Sequence, residues 1–152
     1  PANLQRFLAG FGDYESLHRW SLAQPEEFWP AVWRFCGVKS TRPWTHVLHP
    51  ETGHWFPGAE LNFAATILRP ADPETALLSH RRTLTHQQLA HETARIAKAF
   101  QAAGIHTGDT IAACLPPLPE TVAAFLATAS LGALWLPQRV VAPHAMVARQ
   151  RI

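Results

Sequence analysis

The sequence predicts an α/β protein: a Trp-rich irregular or helical leader, then a β-hairpin, a helix and a βαβ unit. Three features carry that expectation. Trp20, Trp29, Trp33, Trp44 and Trp55 crowd the first 58 residues, interleaved with Pro25, Pro30, Pro43, Pro50 and Pro57. A capped helical pattern runs from Thr85 to Gly104. Strand, helix and strand patterns then succeed one another between Thr110 and Leu136.

The leader is rich in anchors and poor in regular structure. Each tryptophan buries a large area, either in a small irregular aromatic core or against a neighbouring domain. Within it, Pro25–Phe35 reads as a short helix. Pro25 suits the first helical position, and Glu26 and Glu27 complement the positive end of the helix dipole. Phe28, Val32 and Phe35 share a face. Pro30 lacks a backbone donor, so the helix begins at Pro25 or at Pro30. Glu60–Leu68 reads as a second helix, with Leu61, Ala64, Ala65 and Leu68 on one stripe. The leader is assigned residues 1–68.

The remainder, 69–152, opens with a turn over Arg69–Glu74 marked by Pro70, Asp72 and Pro73. Thr75–Ser79 and Arg82–Leu84 form a hairpin. Thr85 and Gln88 fit a capping box, in which side chain and backbone satisfy each other's orphan groups. Leu89, Ile96, Phe100 and Ala103 follow at helical spacing, and Gly104 ends the helix. Thr110–Leu115 is an apolar strand stopped by Pro116 and Pro117. Pro119 and Glu120 start a helix to Leu131, and Ala133–Leu136 is the next strand. Such a unit is expected to be parallel and right-handed.

Composition narrows the functional classes. With 152 residues, 47% hydrophobic and 16% charged, the chain is globular. A formal charge of +2, with no Lys/Arg run, points to no nucleic-acid and no membrane partner. Cys36 and Cys114 read as reduced, mostly buried thiols of a cytoplasmic protein. No apolar run is long enough to span a bilayer. The chain starts at Pro1 rather than Met, so its true start is expected to lie upstream.

No residue is assigned a catalytic, cofactor-binding or metal-binding role on this reading. Neither G-x-G-x-x-G nor G-x-x-x-x-G-K-[ST] occurs, so a phosphate cradle is not recognisable. C-x-x-C, H-E-x-x-H and a nucleophile elbow are also missing. His46, His49 and His54, with Glu51 between, offer zinc-type donors. They flank Pro50 and Gly53 without helical spacing, and a solvated loop is the preferred reading. Asp109 reads as a turn residue and Glu120 as a helix-start carboxylate.

The ordered segments Leu17-His-Arg-Trp-Ser21, Phe28-Trp-Pro-Ala-Val-Trp33 and Trp55-Phe-Pro-Gly-Ala-Glu-Leu-Asn-Phe-Ala64 resemble the N-terminal part of acetoacetyl-CoA synthetases. Thr83-Leu-Thr-His-Gln-Gln-Leu89, Gly104-Ile-His-Thr-Gly-Asp109, Leu115-Pro-Pro-Leu-Pro-Glu120 and Ala127-Thr-Ala-Ser-Leu-Gly-Ala-Leu-Trp135 continue the resemblance. It covers roughly residues 3–135. It implies an incomplete N-terminal part of the large domain of an adenylate-forming enzyme, with 69–152 as the start of the AMP-binding domain. The implied parent chemistry uses ATP, Mg²⁺ and CoA: a carboxylate is adenylated, and the CoA thiol then displaces AMP. The family's phosphate loop, magnesium site and mobile catalytic lysine lie beyond the stretch that this chain resembles. The chain alone is therefore expected to bind no cofactor and to be catalytically incompetent, with the remainder of the ligase as its partner. Strand edges left unpaired would favour self-association or aggregation. A non-catalytic interaction module, or a decayed gene product retaining the leader, is the other reading.

The sequence departs from the family pattern at Pro117, where Asn is usual, and at Thr110, where Arg or Lys is usual. The hairpin at His80–Arg82 is shorter. Leu136–Pro143 replaces a Ser-Ser-Cys-Ser-Pro-Asp-Phe-Gly stretch that in relatives approaches CoA. His144–Ile152 again loosely resembles the family's next segment.

Overall fold

The structure is a computed structural model that describes residues 3–138 and the strand at 147–150. The unfamiliar stretch at 139–143 lies outside the described residues, as do 144–146, 151 and 152 of the segment after it. The chain divides into two compact units, Pro1–Leu61 and Asn62–Ile152.

The first unit is more helical than its proline content suggests. Helices α1 (Asn3–Leu8) and α2 (Tyr14–Ala23) precede α3 (Pro25–Phe35). Neither α1 nor α2 was expected from the sequence. α2 is started by Asp13, whose carboxylate accepts the Ser16 N–H at 2.7 Å and so satisfies an orphan donor of the first turn. α3 does begin at Pro25, and it carries Pro30 buried in its interior without breaking. Strand β1 (Ser40–Arg42) pairs antiparallel with β2 (Glu60–Leu61). Arg42 closes that pair twice, through Glu60 at 2.9 Å and the Gly58 carbonyl at 2.8 Å.

Aromatic rings pack through this unit at mixed angles, from stacked to edge to face. Phe7, Phe11, Trp20 and Phe28 form one chain of contacts, with ring centroids 4.7–6.3 Å apart. Trp33, Trp44 and Phe56 form a triangle of 4.7–5.1 Å. Yet among the described residues of this unit only Leu17 and Pro30 are buried, and Trp29 and Trp55 remain more than two-fifths exposed. The rings gain stacked, tilted and edge-to-face contacts without a sealed interior.

The second unit holds the core. Residues 60–68 do not form one helix: Glu60 and Leu61 are strand, and α4 is only Phe63–Ile67. The reason is Asn62, whose side chain accepts from Ala65 N–H at 3.1 Å and fixes the helix start there. The same amide donates to the carbonyls of Ala129 and Ser130, at 3.3 and 3.1 Å. The hairpin of β3 (Thr75–Leu78) and β4 (Thr83–Thr85) leads into α5 (His86–Ala102). The capping box at Thr85 and Gln88 is formed in both directions, at 3.1 and 2.9 Å. β5 (Thr110–Ala113), α6 (Pro119–Ser130) and β6 (Leu134–Pro137) form the βαβ unit, with β5 and β6 parallel. β5 stops two residues short of the expected Leu115. A strand not foreseen, β7 (Val147–Gln150), lies antiparallel on the other side of β5, giving the order β6-β5-β7.

Ala64, Leu89, Ala123 and Leu126 make the central cluster, with Leu68, Leu77, Ile96 and Phe125 packed around it. The alanines let α4, α5 and α6 meet closely. Each fully buried leucine contributes about 1.5–3 kcal/mol. Two loops are locked together at one end of the sheet. Gly108 N–H donates to the Gly132 carbonyl at 3.0 Å, and the Thr107 hydroxyl donates to the Leu131 carbonyl at 2.9 Å. No helix among the described residues is long and apolar enough to cross a membrane.

Gly132 has φ +69°, and a Cβ there would stand 3.0 Å from Thr107 Cγ2. Gly132→Ala is expected to cost about 1–3 kcal/mol in chemical denaturation, the range for a non-glycine residue held left-handed. Adding Thr107→Ser removes the nearer contact, the methyl, and recovers part of the steric cost; full recovery would mean that the backbone conformation is not the constraint.

Candidate functional site

The most elaborated polar cluster sits where the hairpin meets two helices. Arg82 precedes β4, and its guanidinium reaches Glu92 on α5 at 3.6 Å and Glu120 at the start of α6 at 3.1 Å. Glu92 is also held by Arg95, 3.2 Å away on the same helix. Arg82 Nε is buried and has no hydrogen-bond partner among the described residues. A cleft of about 360 Å³ opens beside the cluster, lined by Arg82, Leu84, Gln87, Gln88, His91 and Glu92.

Chemically this cluster is a junction. The Arg95 hydrogen bond, reinforced by the positive charges of Arg82 and Arg95, holds the Glu92 carboxyl below its ordinary range despite partial desolvation. An ionised, already paired carboxylate is a poor proton relay. The cleft does not fit a polyphosphate either, because its guanidinium is shared by two carboxylates. Pairs this exposed contribute at most about 1 kcal/mol each. Their effect is to register the hairpin against α5 and α6.

Two other concavities are apolar. One of about 310 Å³ lies between the exposed Leu78 of β3 and the Pro117-Leu118-Pro119 entry of α6, with Val122 in its wall. The other, about 240 Å³ in the first unit, is walled by Leu4, Phe7, Leu17 and Phe28.

The structure places each residue weighed from sequence. His46 and His49 approach ring to ring at 6.3 Å. His49 Nδ1 accepts the N–H groups of Glu51 and Thr52, and His49 N–H donates to the His54 carbonyl at 2.9 Å, so the segment is a self-bonded turn. No group of three His, Cys, Asp or Glu side chains among the described residues is arranged to hold a metal ion. Asp109 accepts the His106 N–H at 2.9 Å and is a turn residue. Glu120 is an ion-pair partner as well as a helix-start carboxylate. Cys114 is half-buried, but Cys36 is exposed, a correction to the reading of both thiols as mostly buried; it sits at the C-cap of α3, beyond the packed face. Sequence reasoning missed Arg82 and the double role of Asn62. Arg82 and the donor side of Asn62 act through partners at least ten residues away, where no local pattern announces them; the cap that Asn62 gives Ala65 is local.

The family model for AMP-binding enzymes matches residues 65–149, and that for the acetyl-coenzyme A synthetase N-terminus matches residues 14–66. An acetoacetyl-coenzyme A synthetase of Rhizobium meliloti is 38% identical over 144 residues, covering 86% of this chain and 21% of the relative. A malonamoyl-CoA synthetase of Penicillium aethiopicum is 32% identical, covering 80% and 19%. The solved acetoacetyl-CoA synthetase of Streptomyces lividans superposes with a TM-score of 0.75 at 30% identity, covering 91% of this chain and 25% of that one. The chain thus spans about a fifth of the length of the curated relatives it matches.

Because the depressed Glu92 carboxyl is ionised in the fold, its contribution is present above the ordinary glutamate range and lost as pH falls through its lowered folded value. Denaturation midpoints across that acidic range should fall less steeply for Glu92→Gln than for the parent. Parallel pH profiles would remove Glu92 from the junction.

Proposed function

We infer the function from one premise: this chain belongs to the AMP-binding enzyme family. It corresponds to the N-terminal portion of an acetoacetyl-CoA synthetase-type ligase, whose parent reaction converts ATP, acetoacetate and CoA into AMP, pyrophosphate and acetoacetyl-CoA. In this reading residues 1–68 are the leader and 69–152 begin the large domain. The remainder of the ligase is its partner. ATP, Mg²⁺ and CoA are cofactors of the whole enzyme, whose setting is cytoplasmic.

By itself the chain is catalytically incompetent. The supporting observation is chemical. Adenylation places developing negative charge on a phosphate, which needs preorganised donors and cations. The chain's lysines, Lys39 and Lys98, are exposed on the lead-in to β1 and on α5. Arg82, the cation lining the cleft beside the hairpin, is committed to Glu92 and Glu120. The acyl group is left open by the relatives themselves, which are named for acetoacetyl and for malonamoyl.

Two arms test this. The purified chain should give no ATP–pyrophosphate exchange with acetoacetate. Mixed with the complementary C-terminal four-fifths of the Rhizobium meliloti enzyme, it should raise exchange above that of either piece. Exchange by the chain alone refutes incompetence, and failure of the mixture where the homologous N-terminal piece succeeds refutes the assignment as that enzyme's N-terminal portion.

A further inference from the structure

The turn ahead of the hairpin is bonded to the first turn of α5. His86 N–H donates to the Glu74 carbonyl at 2.9 Å, and Gln87 N–H donates to the Asp72 carbonyl at 3.0 Å. Gln88 N–H donates to the Thr85 hydroxyl at 3.1 Å. The first three amides of α5, which a helix cannot satisfy internally, thus all have acceptors. Asp72 shapes the turn that supplies two of them. One of its carboxylate oxygens accepts the Glu74 N–H at 2.8 Å, and the other pairs with Arg69 Nη1 at 2.9 Å.

The second arm of the Arg69 fork, Nη2, meets His86 Nε2. A guanidinium stays protonated and offers no lone pair. The imidazole must therefore accept, so Nε2 is bare and the ring proton sits on Nδ1. Nδ1 is buried and has no hydrogen-bond partner among the described residues. Only a neutral ring can make this contact. A proton on Nε2 would remove the lone pair and set two cations face to face, at the positive end of the α5 dipole.

The surroundings supply little compensation. The carboxylates of the turn are those of Asp72, already paired with Arg69, and Glu74, which meets α5 through its backbone carbonyl. The strands β3 and β4, which pack on α5, carry no charged side chain. Glu120, the charged residue of α6, is paired with Arg82.

We propose that His86 is an acid-sensitive latch between the 69–74 turn and α5. It is closed while the imidazole is neutral and accepts from Arg69, and open once the ring is protonated. Histidine changes charge between about pH 5 and 8, so mild acid operates the latch. What it frees is the turn and the first amides of α5, while the cluster of Ala64, Leu89, Ala123 and Leu126 stays packed. Arg69 is 56% exposed, which limits the effect on local opening to about fivefold or less. The proposal rests on the fold and is independent of the ligase reading.

Two measurements on the full chain test it. Nitrogen-15 NMR of the histidine side chains, above the range in which histidine titrates, should show His86 protonated at Nδ1 and bare at Nε2. Amide exchange of His86 and Gln87 is then followed as the pH falls through that range, relative to Leu126 and Ala127 of α6 and corrected for the intrinsic pH dependence of exchange. It should quicken about threefold. His86→Gln keeps an acceptor that takes up no proton in this range, and should hold the ratio constant. His86→Leu has no acceptor and should show the faster ratio at every pH. A neutral His86 ring protonated at Nε2, a constant ratio in the parent, or an acid response in His86→Gln equal to the parent's overturns the proposal.

Discussion

Packing of α4, α5 and α6 around small side chains is the constraint on which the second unit depends. Ala64 and Ala123 are fully buried, and Leu89 and Leu126 close the space between them. A larger side chain at either alanine would separate helices whose ends are already tied. Asn62 ties the start of α4 to the end of α6 through two carbonyls. Arg82 ties the hairpin to the start of α6 and to α5. The Thr107–Gly132 contact ties the loop before β5 to the loop before β6. These polar contacts are individually weak. They act because the apolar cluster has already brought the elements within reach.

The first unit is built on a different physical plan. Its aromatic rings touch one another at mixed angles over much of its length, yet Leu17 and Pro30 alone are buried among its described residues. Each ring therefore retains contact with water on one side. Hydrophobic stabilisation scales with area removed from water, so a unit with many half-exposed rings gains less per aromatic than the composition promises. The same is true of the open face of the β5–β6 sheet, where Leu134 and Leu136 stand uncovered.

Much of the second unit was legible because its signals are local. Thr85 and Gln88 announce a capping box three residues apart, and the structure forms it. Pro119, Gly104 and the apolar strand at Thr110 mark boundaries by backbone chemistry alone. The stripe over Glu60–Leu68 misled because its period is helical throughout. The competing facts are a strand partner in Ser40–Arg42 and a better cap at Asn62. α2 could have been read from Asp13 and Ser16, spaced as cap and third helical residue. The Arg82 cluster could not, since its carboxylates come from Glu92 and Glu120 and only the fold brings them together. Function was legible at the level of lineage, through ordered short motifs. No local constellation in the sequence was assigned a chemical role.

Among the described residues most buried side chains lie in the second unit, which is therefore expected to be the more stable of the two. Amide hydrogen exchange resolved by residue tests this directly, because protection reports the free energy of local opening. At low micromolar concentration the slowest amides should lie in α5, β5 and α6, with those of α2 and α3 exchanging at least about tenfold faster. Equal protection in α2 and α3 would contradict it, showing that the aromatic leader carries a core as firm as the one around Ala123 and Leu126.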